Sequence, residues 1–454
     1  MGNNNKKAEN VRPLMSKLFI LATICCALLP FCQQVSAMTL EEAVVEAIQK
    51  HPVVQAAEAA MRASGYAVQD AEAGYYPSFD IQGDAGRQYA NNSTTRGRGE
   101  GGETTLRRSV EFKLTQNLFD GFAIRYRVEA TEKQAELARY QLMDSQEVIA
   151  LRTVEAYLAV LRGRLVLTLY EENIHKHRQV LKDVSVKAKK GGGSLGDVSQ
   201  AESRLALAEA GLTLAKGELR DAEASFLEAV GVASDSLVHP GYLSVPVSLD
   251  EALEKAVLSN PTILAAMAAI ESSEADLKSA DAAFMPALDL ELTETRSWDT
   301  DGLRERTVDR RAVAVMTFNL FRGWGDIAKK GQARESLTQS QWQRDESVRL
   351  VKKQLRVDFS AYETARDRAE ALKVRALASE KAVQAYKSQF RFGTRSMLDV
   401  LDLENELFQS KVALVDVDTQ HRLARYRIMA IMGGLLESLD LGGEAAVSSH
   451  TEHN

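Results

Sequence analysis

Beyond residue 37 the chain contains no cysteine, because Cys25, Cys26 and Cys32 are the only three it has. A mature chain starting there has no disulfide, thiol nucleophile or cysteine metal site. Proline is almost as scarce: outside the first 37 residues only Pro52, Pro77, Pro240, Pro246, Pro261 and Pro286 occur, so residues 78–239 and 287–454 contain none. Past the same point no apolar run approaches the roughly 18 residues of a membrane helix. If this protein meets a bilayer, strands must cross it. Basic excess is absent as well; a net charge of −7 argues against a nucleic-acid partner, since phosphate contacts want a basic face.

Residues 1–37 read as a signal peptide. Lys6, Lys7, Arg12 and Lys17 precede the apolar run FILATICCALLPF, and the small-residue pattern VSA ends before Met38. Either Met1 or Met15 can start such a leader. Phe31, directly before Cys32, is too bulky for a lipoprotein cleavage site.

What the sequence does contain is itself, twice. LEEAVVEAIQKHPVVQAAEAA from Leu40 matches LDEALEKAVLSNPTILAAMAA from Leu249, and Pro77 and Asp80 fall on Pro286 and Asp289 at the same offset of 209. Further on the offset is 202. Asn117, Leu118, Phe119 and Gly121 fall on Asn319, Leu320, Phe321 and Gly323, and Gly191, Asp197, Glu202 and Gly231 fall on Gly393, Asp399, Glu404 and Gly433. The expected organisation is a first repeat at 38–232, a linker at 233–246, a second repeat at 247–440 and a polar tail at 441–454.

Within each repeat, proline-free segments rich in strong helix formers predict one helix of nearly 70 residues, at about 122–190 and 324–392, with Gly163 the interior weak point of the first. At 1.5 Å per residue each is about 100 Å long. Such a helix has to bury a stripe against neighbours. Gly191 and Gly393 end the long helices, and shorter helices return at about 196–231 and 398–433. Hairpins are expected at about 78–119 and 287–321. Val110, Phe112 and Leu114 alternate with Glu111, Lys113 and Thr115, and Leu288, Leu290 and Leu292 alternate with acids and threonine. One apolar and one charged face suit a membrane barrel strand. Four strands cannot close alone, so the barrel needs several chains.

Motifs that would carry other chemistry are weak. GRGEGG at 97–102 matches G-x-G-x-x-G without a helix to follow, GGGSLGD at 191–197 lacks the ending of a phosphate loop, and His175 and His177 face different sides of a helix. No catalytic set is placed by a recognisable motif, and no metal or cofactor is expected.

The duplicated helix–hairpin–helix unit, the NLFDG and NLFRG junctions, and above all FGTRSMLDVLDLENEL at 392–407 resemble the TolC-like outer-membrane efflux and secretion channel family over roughly residues 38–436. The resemblance implies a mainly α fold with membrane β: a homotrimer whose hairpins form a 12-stranded barrel in outer-membrane lipid and whose helices form a periplasmic tunnel. It implies no enzymatic activity. Partners would be a periplasmic adaptor and an inner-membrane transporter, ABC or proton-driven, exporting drugs or, in type I secretion, proteins. Asp399 and Asp402 would ring the constricted periplasmic tip near Gly191 and Gly393, crowding that raises some of their pKa values. Arg395 and Asp197 would form its latch. Phe390 and Gly196 depart from the family's polar latch positions. The helices alone also allow a periplasmic coiled-coil adaptor or structural protein without a pore, a reading that gives the duplicated hairpins no purpose.

Overall fold

The structure, a computed structural model, describes residues 37–99, 101–233, 236–392 and 394–441. The leader to residue 36, Gly393 and residues 442–454 of the tail lie outside the described residues.

Two runs of corresponding elements follow one another. The first comprises α1 (Leu40–Lys50), α2 (Pro52–Glu72), β1 (Ser78–Ala90), the short α3 (Ser93–Gly97), β2 (Glu103–Phe119), α4 (Ala123–Lys189) and α5 (Leu195–Val230). The second comprises α6 (Leu249–Ser259), α7 (Pro261–Asp281), β3 (Ala287–Trp298), β4 (Arg306–Thr317), α8 (Gly325–Arg391) and α9 (Met397–Ile431), followed by α10 (Leu435–Ser438). The short α3 has no counterpart and occupies the longer hairpin tip of the first half. Pro52 and Pro261 occupy the first turns of α2 and α7, where a missing N–H costs nothing. His51 and Asn260 cap those turns with side-chain acceptors 3.2 and 3.1 Å from the amides of Val53 and Ile263.

Each long helix, α4 and α8, has 67 residues, about 100 Å. Gly163 does not interrupt α4. A Cβ there would sit 3.0 Å from Leu219 Cδ1, so the bare backbone lets α5 approach. Near the strands the helices lie in the order α2, α4, α7, α8; beyond the middle the order is α5, α4, α9, α8. In both halves α4 has neighbours on two sides, whereas α8 is an edge.

The four strands pair antiparallel in the order β1-β2-β3-β4, leaving β1 and β4 as edges. Register puts Phe79 and Ile81 beside Leu114 and Phe112, and Leu114 beside Leu292. Alternate residues make the other face polar, with Lys113 and Glu291 paired at 2.9 Å. The second hairpin stops at Thr317, short of the expected 321, while its counterpart β2 runs through Asn117–Phe119. Pairing explains the difference: β2 is hydrogen-bonded on both sides, with an irregularity at Asn117/Phe119, and β4 on one only.

The NLFDG and NLFRG motifs form the joints from strand to long helix. Gly121 and Phe122 have φ of 72° and 70°, and Gly323 and Trp324 have φ of 60° and 66°. Glycine suits this left-handed region, and a Cβ on Gly121 would lie 2.7 Å from Met285 Cβ. An aromatic residue in the same region is strained and needs packing to hold it. Phe122 meets Phe119 edge-on at 5.5 Å, and Trp324 meets Phe321 edge-on at 5.6 Å.

Halfway along α4 the chain's loose ends are tied down. The hydroxyl of fully buried Tyr157 is shared between the carbonyls of Val238, 2.6 Å away, and Met38, 2.8 Å away. The inter-repeat linker and the start of α1 thereby wrap one level of the helix layer. Arg422 and Arg425 of α9 hold the linker at the carbonyls of Pro240 and Leu243, at 2.7 and 2.8 Å. Glu147 of α4 is buried and accepts the amides of Leu435 and Leu436, at 3.1 and 3.3 Å, so it caps α10.

Burial pushes the Glu147 carboxyl up to about 7, against the pull of those two amides and with a small upward push from Asp144. A carboxyl whose folded-state value is raised takes up a proton on folding, so it disfavours the fold increasingly as pH rises from its ordinary value toward 7. The expected effect is of order 3 kcal/mol. In urea titrations the wild type should lose stability between pH 5 and 7, and Glu147→Gln should remove most of that slope.

Candidate functional site

The far ends of the long helices carry two turns built alike. Ser194 and Asp197 form a reciprocal capping box at the start of α5, and Ser396 and Asp399 form another at the start of α9. Asp399 accepts the Ser396 amide at 3.0 Å while the Ser396 hydroxyl accepts the Asp399 amide at 3.1 Å. The Ser396 backbone N–H first, then its hydroxyl, hold the Asp399 carboxyl below its ordinary value, with Arg395 adding a smaller pull. Within the chain its shift is therefore downward, opposite to the upward shift that crowding in a ring would give. Asp399 thus has a structural role that the S-x-x-D spacing could have announced.

Asp402, one turn on, is free of that duty. It is exposed and pairs with Arg204 of α5. Arg395 donates to Gln389 at 3.3 Å and lies over the Tyr386 ring at 4.6 Å, while Asp197 is engaged by Ser194 at 3.4 Å. The chain does not bring Arg395 and Asp197 together. Phe390 is half-buried, and Gly196 donates its amide to the Ser194 hydroxyl at 3.0 Å. Gly191 has φ of 78°, as a helix-ending glycine should.

The strongest interaction here involves a residue that the sequence did not single out for a role. Glu404 of α9, 6% exposed, is bracketed by Lys176 of α4 at 2.8 Å and Lys387 of α8 at 2.5 Å. Burial pushes its pKa up, but the two ammonium groups outweigh burial and leave it below the ordinary value. Beside it, His177 is held low by burial and by Arg204, with Glu404 pulling the other way. Among the described residues no group of His, Cys, Asp and Glu is placed to hold a metal. The counterpart of Glu404, Glu202, is exposed.

At the opposite end, exposed aromatic residues gather where strands meet helices: Tyr75, Tyr76, Phe318, Phe321 and Trp324. Amphipathic rings at one level below an apolar sheet face are the usual mark of a membrane interface.

The profile described as "Outer membrane efflux protein" matches residues 43–232 and 252–434, most of both repeats. The chain belongs to the outer membrane efflux protein family. It is 26% identical to the outer membrane efflux protein BepC of Brucella suis biovar 1 over 421 residues, covering 91% of this chain and 89% of BepC. It is 23% identical to the alkaline protease secretion protein AprF of Pseudomonas aeruginosa, covering 72% and 70%. The solved CmeC outer membrane channel of Campylobacter jejuni superposes with a TM-score of 0.76 at 14% identity, covering 87% of this chain and 86% of that one. This efflux-family chain is an outer-membrane export channel, with its helices on the periplasmic side.

Glu404 ties α9 to both of its neighbours, so neutralising it should loosen the turn end while sparing the strand end. Glu404→Ala leaves two lysines facing each other and should cost about 1–3 kcal/mol. Because the folded-state value is depressed, this support is complete above the ordinary carboxylate range and fades as pH falls through it. Amide hydrogen exchange should rise in 397–410 and stay unchanged in β1–β4.

Proposed function

We propose that three copies close into one conduit: a 12-stranded barrel in the outer membrane continuous with a periplasmic helical tunnel. The observation that carries this reading is the pair of bare edges, β1 and β4, on a sheet with an apolar face. An open edge in lipid leaves amide and carbonyl groups unpaired at several kcal/mol each, so β1 must meet β4 of the next copy. The helix layer is open in the same way. It exposes Leu207 and Leu214 on α5 and Val374 and Leu377 on α8, the two borders that closure would join. The polar sheet face then lines the lumen. The conduit exports its substrates and carries out no catalysis. Native mass in detergent should equal three mature chains, and a monomer that spans a bilayer would refute closure.

Substrates would be handed on by an inner-membrane transporter through a periplasmic adaptor. Relatives named for efflux and for protease secretion leave both cargo classes open. Deleting the gene and comparing drug susceptibility with the secreted proteome would separate them.

The turn end is the proposed gate. Around a threefold axis Asp402 would give one acidic ring and Asp399 another, attracting cations and repelling one another. Glu404, gripped by Lys176 and Lys387, would hold the gate helices closed, and Arg395 would contribute only by reaching a neighbouring copy. Hexaamminecobalt added from the turn side of channels in planar bilayers should block current. Asp402→Ala combined with Asp399→Asn, which keeps a capping acceptor, should weaken the block at least tenfold. Equal block in the double variant removes these residues from the pore axis. Arg395→Ser should leave conductance near that of the wild type; a rise would assign the latch to Arg395 between copies.

A further inference from the structure

On the apolar face of the sheet, each strand carries an arginine in the half toward the hairpin tips, with Tyr89, Leu106, Trp298 and Val308 beyond them on the same face. β4 presents Arg310, β3 Arg296, β2 Arg108 and β1 Arg87. Register sets each one residue pair further toward the tips than the last: Arg310 faces Glu294, Arg296 faces Val110, Arg108 faces Ala85, and Arg87 lies beyond. Closure tilts strands by about 35–45°, and such tilt turns a diagonal of this kind toward the horizontal. Arg306 lies at the level of Arg108 across the intervening Trp298, its guanidinium 5.8 Å from the Trp298 ring.

The height of the row fits the edge of a membrane. Phe79 to Arg87 on β1, like Leu288 to Arg296 on β3, spans eight residues. At a rise of about 3.3 Å per residue and the tilt above, that is roughly 20 Å. The apolar band of a membrane barrel is about 25 Å tall, so the row falls at the level of the headgroups. The aromatic residues at the strand bases mark the other border.

Charge in this band is unbalanced. Among the described residues Glu294 is the only acid on the face, and it is shared by Arg296 at 2.6 Å and Arg310 at 2.9 Å. Arg108 reaches Asp299 only at 3.7 Å. Arg87 forms no ion pair among the described residues. All the cations here are arginine; no lysine occurs in 84–108 or 296–311. Guanidinium binds phosphate through two parallel N–H bonds, which ammonium cannot do.

We propose that this row binds the phosphate groups of an anionic lipid headgroup in the outer leaflet, fastening the barrel at a fixed height. The proposal rests on reading the sheet as part of a membrane barrel. Arginines at a membrane border would otherwise need only water. Here they form a continuous belt beside apolar surface, which suits a ligand that is both phosphorylated and acylated.

The test uses the mature full-length protein in detergent, with binding of a diphosphorylated diglucosamine lipid followed by native mass spectrometry. The wild type should bind it at least tenfold more tightly than the dephosphorylated lipid, less so at high salt. Arg87→Ala with Arg108→Ala and Arg306→Ala should lose that preference. Inorganic phosphate at the same concentration should not compete; competition would assign the row to free anions instead. Equal binding of both lipids, or unchanged preference in the triple variant, overturns the proposal. If the alanine variant fails to assemble, the triple Arg→Lys variant replaces it and should fall between. A wild type that neither assembles nor conducts in bilayers would instead count against the barrel itself.

Discussion

A helix of 67 residues cannot keep its shape in water unless something lies along it, and nearly every other feature follows from that need. No single partner is long enough, so α4 is covered in two instalments by α2 and α5 on one side and α7 and α9 on the other. The instalments meet at mid-height, where both must end and backbone groups at their termini need partners. That level is where Tyr157 binds the Met38 and Val238 carbonyls and Glu147 caps α10. The loops that join the instalments therefore form a girdle there. Buried Glu147 and Tyr157 lie at this level because the helix and loop ends that meet there leave polar backbone groups to satisfy.

Duplication made most of this architecture legible, since proline and glycine mark the same boundaries twice. The long helices, expected at 122–190 and 324–392, run from 123 to 189 and from 325 to 391. Strand alternation at Val110–Thr115 and Leu288–Leu292 likewise corresponds to the two faces of the sheet. Lateral order was not legible. Glu202 and Glu404 occupy equivalent positions, yet one is exposed and the other buried between two lysines. The difference arises because α9 lies between α4 and α8 whereas α5 lies at a border. Periodicity reports which face of a helix is apolar and says nothing about which helices stand on either side.

The same asymmetry accounts for the end of the second hairpin. Asn319, Leu320 and Phe321 repeat Asn117, Leu118 and Phe119 letter for letter, but the first repeat's set is held by β3 on the far side of β2, the side on which β4 has no neighbour. Equivalent sequence yields different structure wherever one repeat is interior and the other peripheral. Capping was a different kind of miss. The S-x-x-D spacings at 194–197 and 396–399 were visible, and their local chemistry explains Asp197 and Asp399 without any pore.

That division of labour bears on how such an end can open. A carboxylate committed to its own helix terminus cannot swing to a new partner without unwinding the first turn, so Asp197 and Asp399 move only as rigid parts of α5 and α9. Asp402 and Glu404 are held by residues of other helices, Arg204 in one case and Lys176 and Lys387 in the other. Only contacts of this second kind can break and re-form as helices slide past one another. Of these, Arg204–Asp402 is exposed and weak, while Glu404 is shielded and doubly paired. Sliding of α9 is therefore resisted chiefly at Glu404, two turns inside the end, and the turn itself travels as a preformed cap.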